Sequence, residues 1–214
     1  MDSTTTAPPA APPTFGDPTP LGLIGLAIGC ASLVPIAFGM LPADPAAAAR
    51  MLDTASWLCL LFGAGCQFLS GLMSLANKNT LGGTLLTTFS FNWVFNWWVL
   101  RELSVGRVPD PTVGLAVDVA FIVIFVVLTY AFGFYSKLLF VFLLDIDLLY
   151  VLRIARHFAA PDGAFARAAS LGVAIATVAL AGLALYIAFA LLVNPAAGRP
   201  VLPVSGPLFK PRPS

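Results

Sequence analysis

Six apolar stretches alternate with short polar or proline-rich breaks: Leu21–Leu41, Ala55–Leu75, Leu81–Leu100, Val113–Gly133, Leu138–Leu152 and Ala168–Val193. About 20 apolar residues at 1.5 Å rise cross a hydrocarbon core of ~30 Å, so each run predicts a spanning helix. The fifth is the shortest and contains Asp145 and Asp147. The breaks read PADPAAAAR, ANKN, RELSVGRVPDP, FYSK and RHFAAPDGAFAR. An even number of spans puts both termini on one side. The pattern predicts an all-α integral membrane protein in three parts. Residues 1–16 form a disordered tail rich in Thr, Ala and Pro, 17–198 a bundle of six transmembrane helices, and 199–214 a C-terminal tail.

Composition strengthens that reading. Of 214 residues 59% are apolar and 10% are charged, against about 25% charged in a soluble domain. The net charge of +1 offers no electrostatic footprint for nucleic acid. The first 16 residues lack the basic start and apolar core of a signal peptide. Cys30, Cys59 and Cys66 follow no metal or redox spacing, and the single His157 sits in a polar break, so no metal or cofactor is expected. The face carrying the termini holds Lys78, Lys137, Arg199, Lys210 and Arg212, and the other holds Arg50, Arg101, Arg107, Arg153, Arg156 and Arg167. Five against six leaves the positive-inside rule without a preference.

Two spans carry polar stripes. Gly63, Gln67, Ser70, Gly71 and Ser74 share one helical face of the second, and Thr80, Thr84, Thr87, Thr88, Asn92 and Asn96 largely share one face of the third. Polar side chains in hydrocarbon need partners. Two readings stand: close helix–helix packing through small residues, or the lining of a wet conduit.

The helix starts raise the same choice. In DPTPLGLIGLAIG, Pro18 and Pro20 open the first span, where a missing N–H costs nothing. Gly22 then admits a neighbouring backbone or a ligand. Asn79-Thr80 open the third span and Ser136 the fifth, on the same face of the membrane. Exposed N–H groups and the positive end of the dipole attract carboxylates at such ends. Three converging ends suit a small, singly charged anion; the other reading is punctuation at a membrane boundary.

DPTPLGLIGL resembles the Asn-Pro-Ala-Pro-Leu-Gly-Leu signature of the acetate uptake transporter (succinate–acetate permease) family. FGAGCQFLSGLMSLANKNTLGGT, FNWVFNWW and GRPVLPV are similar to three further family blocks in the same order, over residues 17 to 204. The resemblance implies a six-helix channel or carrier for acetate and related small monocarboxylates, succinate in some members, often proton-coupled. It also implies a ring-shaped homo-hexamer in the cell membrane, surrounded by lipid, with a pore in each protomer and cytoplasmic termini.

By the same resemblance Leu26, Phe89 and Ile146 form an apolar constriction. Gln67, Asn79, Thr80 and Thr84, with the signature residues Pro18, Leu21 and Gly22, meet the substrate. The chain departs from the pattern at Asp17 for Asn, Ser74 for a frequent Glu, Phe89 for Tyr, SFNW for Gly-x-Phe-Trp, and Asp145 and Asp147 for Ser or Thr.

Asp145 and Asp147 are about 200° apart on a helix, so both cannot face one cavity. One is expected to face the pore as a proton-coupling group and the other a neighbouring helix, where it needs a hydroxyl, amide or basic partner. A structural hydrogen-bonding pair is the other reading. A membrane-embedded enzyme would need convergent His, Asp, Glu or Cys within the spans, and they hold only Asp118, Asp145 and Asp147 as carboxylates and no His. A divergent six-helix protein with another small substrate, or a non-transporting assembly protein, remains the alternative. Gly25–Gly29 and the ridge Thr177, Ala181, Ala184 and Ala188 serve packing in either case.

Overall fold

The computed structural model of the protein describes residues 13–160 and 163–210. Six helices carry the chain: α1 (Thr19–Ala37), α2 (Pro45–Ala76), α3 (Thr80–Ser104), α4 (Pro111–Phe132), α5 (Lys137–His157) and α6 (Ala164–Ala197). A helix covers most of each of the six apolar runs, and among the described residues there is no strand. α1, α2, α4 and α6 are apolar and long enough to cross a bilayer. α3 and α5, of 25 and 21 residues, match them in length but carry the polar stripe and the aspartates.

Local chemistry sets the ends. The Asp17 carboxylate accepts from the Thr19 amide at 3.0 Å, Asn79 Oδ1 from Gly82, and Ser136 Oγ from Leu138. Each cap satisfies one of the orphan donors of a first helical turn. Asp44 and Asp110 do the same for α2 and α4, with Pro45 and Pro111 at the first helical position. The amides of Val113 and Thr112 hold the Asp110 carboxyl below its usual range. The start of α2 corrects the extent of the break: it is confined to residues 38–44, where Asp44 caps the helix, and Pro45 and the alanines of PADPAAAAR already form the first turns of α2, ten residues before Ala55. α5 likewise continues to His157, which brings Arg153 and Arg156 onto the helix instead of a loop.

Backbone packing joins α3 to α2, α2 to α1, α1 to α6, α6 to α5 and α5 to α4. The seam between α3 and α4 is closed by side chains, with the Phe89 and Phe125 rings edge to face at 5.0 Å. The six helices thus run round a shared interior in sequence order. Small residues decide how closely α1 and α2 approach. A Cβ on Gly25 would lie 2.4 Å from Cys66 Cβ and 2.5 Å from the Phe62 carbonyl. Opposite this contact α2 passes through a π-helical segment, Cys59–Cys66. The indole of Trp93 on α3 lies against Gly29 of α1 and Gly63 in that segment, where no larger residue fits.

Both predicted tails are partly anchored. Residues 1–12 of the N-terminal one lie outside the described residues, but Phe15 exchanges two hydrogen bonds with Asn77. Residues 199–210 form a strap over the terminus-bearing face. Asn194 binds the backbone of Val201 and Leu202, and the Lys137 amide donates to the Gly206 carbonyl. Phe209 sits among Tyr130, Phe134 and Phe140, on Gly133.

Candidate functional site

Two cavities open into the bundle from opposite faces, and the side chains between them are buried. The near cavity, on the face with the termini, is about 210 Å³. The far cavity is about 480 Å³. Among the described residues, Phe89 alone lines both. Leu26 lines the near side and Ile146 the far side, and the three are 0%, 4% and 1% exposed. Phe125, itself 0% exposed, backs the Phe89 ring from α4. Leu26, Phe89 and Ile146 thus lie buried between the two cavities, with an aromatic ring from a fourth helix behind Phe89.

The near cavity gathers the starts of α1, α3 and α5, through Asp17, Thr19, Asn79, Gly82 and Ser136. The three helix ends converge as expected, but each is capped by its own side chain, and the Asp17 carboxylate already occupies the position an anion would take at α1. Gln67 lines this cavity, is 1% exposed, and leaves Oε1 without a partner. Asn79 also lines this cavity and spends Oδ1 on its cap.

The other residues expected to meet the substrate lie elsewhere. Thr80 and Thr84 are exposed and line a shallow cleft between α3 and α4 with Lys78 and Tyr135. The Pro18 carbonyl accepts from Ser70 Oγ at 2.5 Å, Gly22 lies against that same serine, and Leu21 is exposed on the outside of α1. The physical reason is that Gly22 admits a helix, not a ligand. The α2 stripe divides likewise, with Ser70, Gly63 and Gly71 packing against α1 and α3 while Gln67 alone of the five reaches the near cavity.

The far cavity holds what the sequence pattern did not bring forward. Ile146, Leu149, Tyr150, Arg153 and Arg156 follow one another at helical spacing along α5 and line it, facing Asn92, Trp93 and Asn96 of α3. Arg153 is paired with Asp118 of α4 through Nη2 at 2.9 Å and Nε at 3.1 Å, and its guanidinium lies 5.6 Å from the Tyr150 ring centre. Arg156 has no ion-pair partner among the described residues. The continuing period of α5 past Leu152 was the available signal for both arginines.

Asp145 and Asp147 flank this lining instead of joining it. Ile146 points inward, and 100° per residue turns its two neighbours to the sides of the helix. Asp147 turns toward α4, where Thr129 Oγ1 donates to it at 2.7 Å. Asp145 is half-buried, and its Oδ2 has no partner among the described residues. The hydroxyl partner expected for one aspartate is present, whereas the pore-facing position expected for the other is not: neither carboxylate lines either cavity.

No family model matches the chain, and no curated protein does. Among solved structures, it is similar to that of the bacterial acetate channel SatP, with a TM-score of 0.76 and 19% identity, over 90% of this chain and all of that one. The two share a fold, and the chain is a helical membrane protein of that architecture.

Proposed function

We propose that the protein is a membrane channel or carrier for acetate and related small carboxylates, which pass from one cavity to the other at Phe89. The carrying observation is the single aromatic side chain that closes two opposed cavities against each other. A dry apolar waist resists wetting and admits only small solutes that shed water readily. The near cavity supplies Gln67 and Asn79, and the far cavity supplies a net positive lining. Fold similarity to an acetate channel supports the same class of solute. Succinate, twice charged, fits the apolar waist less well than a monocarboxylate. Proton coupling through Asp145 or Asp147 acts across α5, beside the path.

Each protomer carries its own path, and assembly into a hexameric ring would cover part of the exposed apolar surface of α2. The termini are assigned to the cytoplasmic side. The test is uptake of labelled acetate by liposomes containing the purified protein. Flux that equals that of empty liposomes, with the protein folded and inserted, removes the proposal.

A further inference from the structure

The far cavity has more room, more donors and more charge than a two-carbon anion needs. Its walls are apolar at Leu33 and Ile36 of α1 and at Val173 and Leu180 of α6. Within it, Tyr150 is 1% exposed and its hydroxyl has no partner. Trp93 is 3% exposed and its Nε1 has none either. The indole presents Cζ3 and Cε3 to Gly29 and Cδ2, Cγ and Cε3 to Gly63, so the opposite edge, which carries the N–H, is turned away from both glycines. A buried donor left unpaired is costly, and a bound acceptor relieves the cost.

Charge narrows the ligand. Asp118 neutralises Arg153, and Arg156 is left as the one uncompensated charge in the lining among the described residues. Tyr150, Arg153 and Arg156 stand on successive turns of α5, about 4.5 Å apart along its axis. Apolar walls with a few convergent polar groups are the usual form of a small-molecule site.

We propose that the far cavity binds an amphipathic monocarboxylate too large to pass the waist. Its carboxylate lies on Tyr150, Arg153 and Arg156 with Trp93 as a further donor, and its body lies against Leu33, Ile36, Val173 and Leu180. The binding site stands by itself. Its consequence, that such an anion blocks acetate entering from that face, rests on the transport reading above.

Benzoate is the probe, with benzamide as the uncharged control of the same shape. Calorimetric titration of the purified protein is expected to give benzoate binding at least tenfold tighter than benzamide. Tyr150→Phe keeps the ring stack with Phe121 and Phe125, and Arg156→Gln changes a side chain at the exposed rim. Both variants are expected to unfold at the wild-type temperature and to bind benzoate about tenfold more weakly. Equal binding of benzamide, or unchanged benzoate affinity in either variant, overturns the site. In liposomes benzoate is expected to slow acetate flux through wild type more than through Arg156→Gln. Benzoate binding without any acetate flux removes the transport reading and leaves the site. Acetate flux without benzoate binding removes the site alone.

Discussion

The near and far cavities share Phe89 as a wall, yet they are built from opposite materials. The near one is assembled from helix starts whose amides are already capped, and its one charged lining residue is Asp17. The far one is assembled from the second halves of α1 and α5, the middle of α3 and the first half of α6, and bears Arg153 and Arg156. Helix dipoles alone would favour an anion on the near side, because three N-termini converge there. Full charges change that picture. A macrodipole contributes about half an elementary charge at each end, so the full charge of Asp17 offsets two of the three starts, while the far lining keeps the whole charge of Arg156 on a side chain that reaches the cavity. Convergence of helix starts is a weak guide wherever those starts cap themselves.

The sharpest way to break this asymmetry is Arg153→Leu. It leaves Asp118 buried without its partner and cancels the excess positive charge. Removing one member of a buried pair costs about 3 kcal/mol, so a large drop in unfolding temperature is expected, with acetate flux reduced in whatever protein remains folded. Asp118→Asn frees the arginine instead and is expected to strengthen anion binding in the far cavity. Calorimetry on the two variants checks the opposite signs.

Phe89→Ala removes the wall itself. The two cavities are expected to join, and propionate or butyrate should gain on acetate by about tenfold in relative flux, the scale on which a pocket discriminates one or two methylenes. A size cutoff identical to wild type in liposome uptake puts the narrow point elsewhere. Asn79→Leu acts on the near side only. It deletes both the α3 cap, about 1 kcal/mol, and the amide donors, so apparent acetate affinity is expected to fall several-fold. Affinity unchanged in a folded variant reduces Asn79 to a cap.

The smallest effect belongs to Asp147→Asn, since an amide oxygen still accepts from Thr129. Unfolding temperature should stay within about 2 °C of wild type, as for a substitution worth less than about 0.5 kcal/mol. The pH dependence of flux in this variant and in Asp145→Asn then tests proton coupling: profiles identical to wild type in both remove it.

The six helices were legible because apolar runs of bilayer length carry few alternative folds, and Leu26, Phe89 and Ile146, now placed between the cavities, were named because four sequence blocks resemble one known family. The site was legible only in part. Gly22 and Gly71 look the same in a sequence whether a solute or a helix approaches, and only the neighbours Ser70 and Thr87 decide it. Arg153 and Arg156 were hidden by the habit of reading basic residues after an apolar run as loop. The stripes on α2 and α3 left two readings open, and each is met in part: Gly63, Ser70 and Gly71 touch a neighbouring helix, whereas Gln67, Asn92 and Asn96 line cavities.

The strap of residues 199–210 has a consequence for the order in which the fold is completed. It contributes Val204 to the near cavity, accepts the first amide of α5 at Gly206, and seats Phe209 on Gly133. The partners of Gly206 and Phe209 belong to the end of α4, the turn after it and the start of α5, so the strap finds its seat only once those elements have met. Packing of the helices and completion of the mouth are separate events, and the second waits for the first.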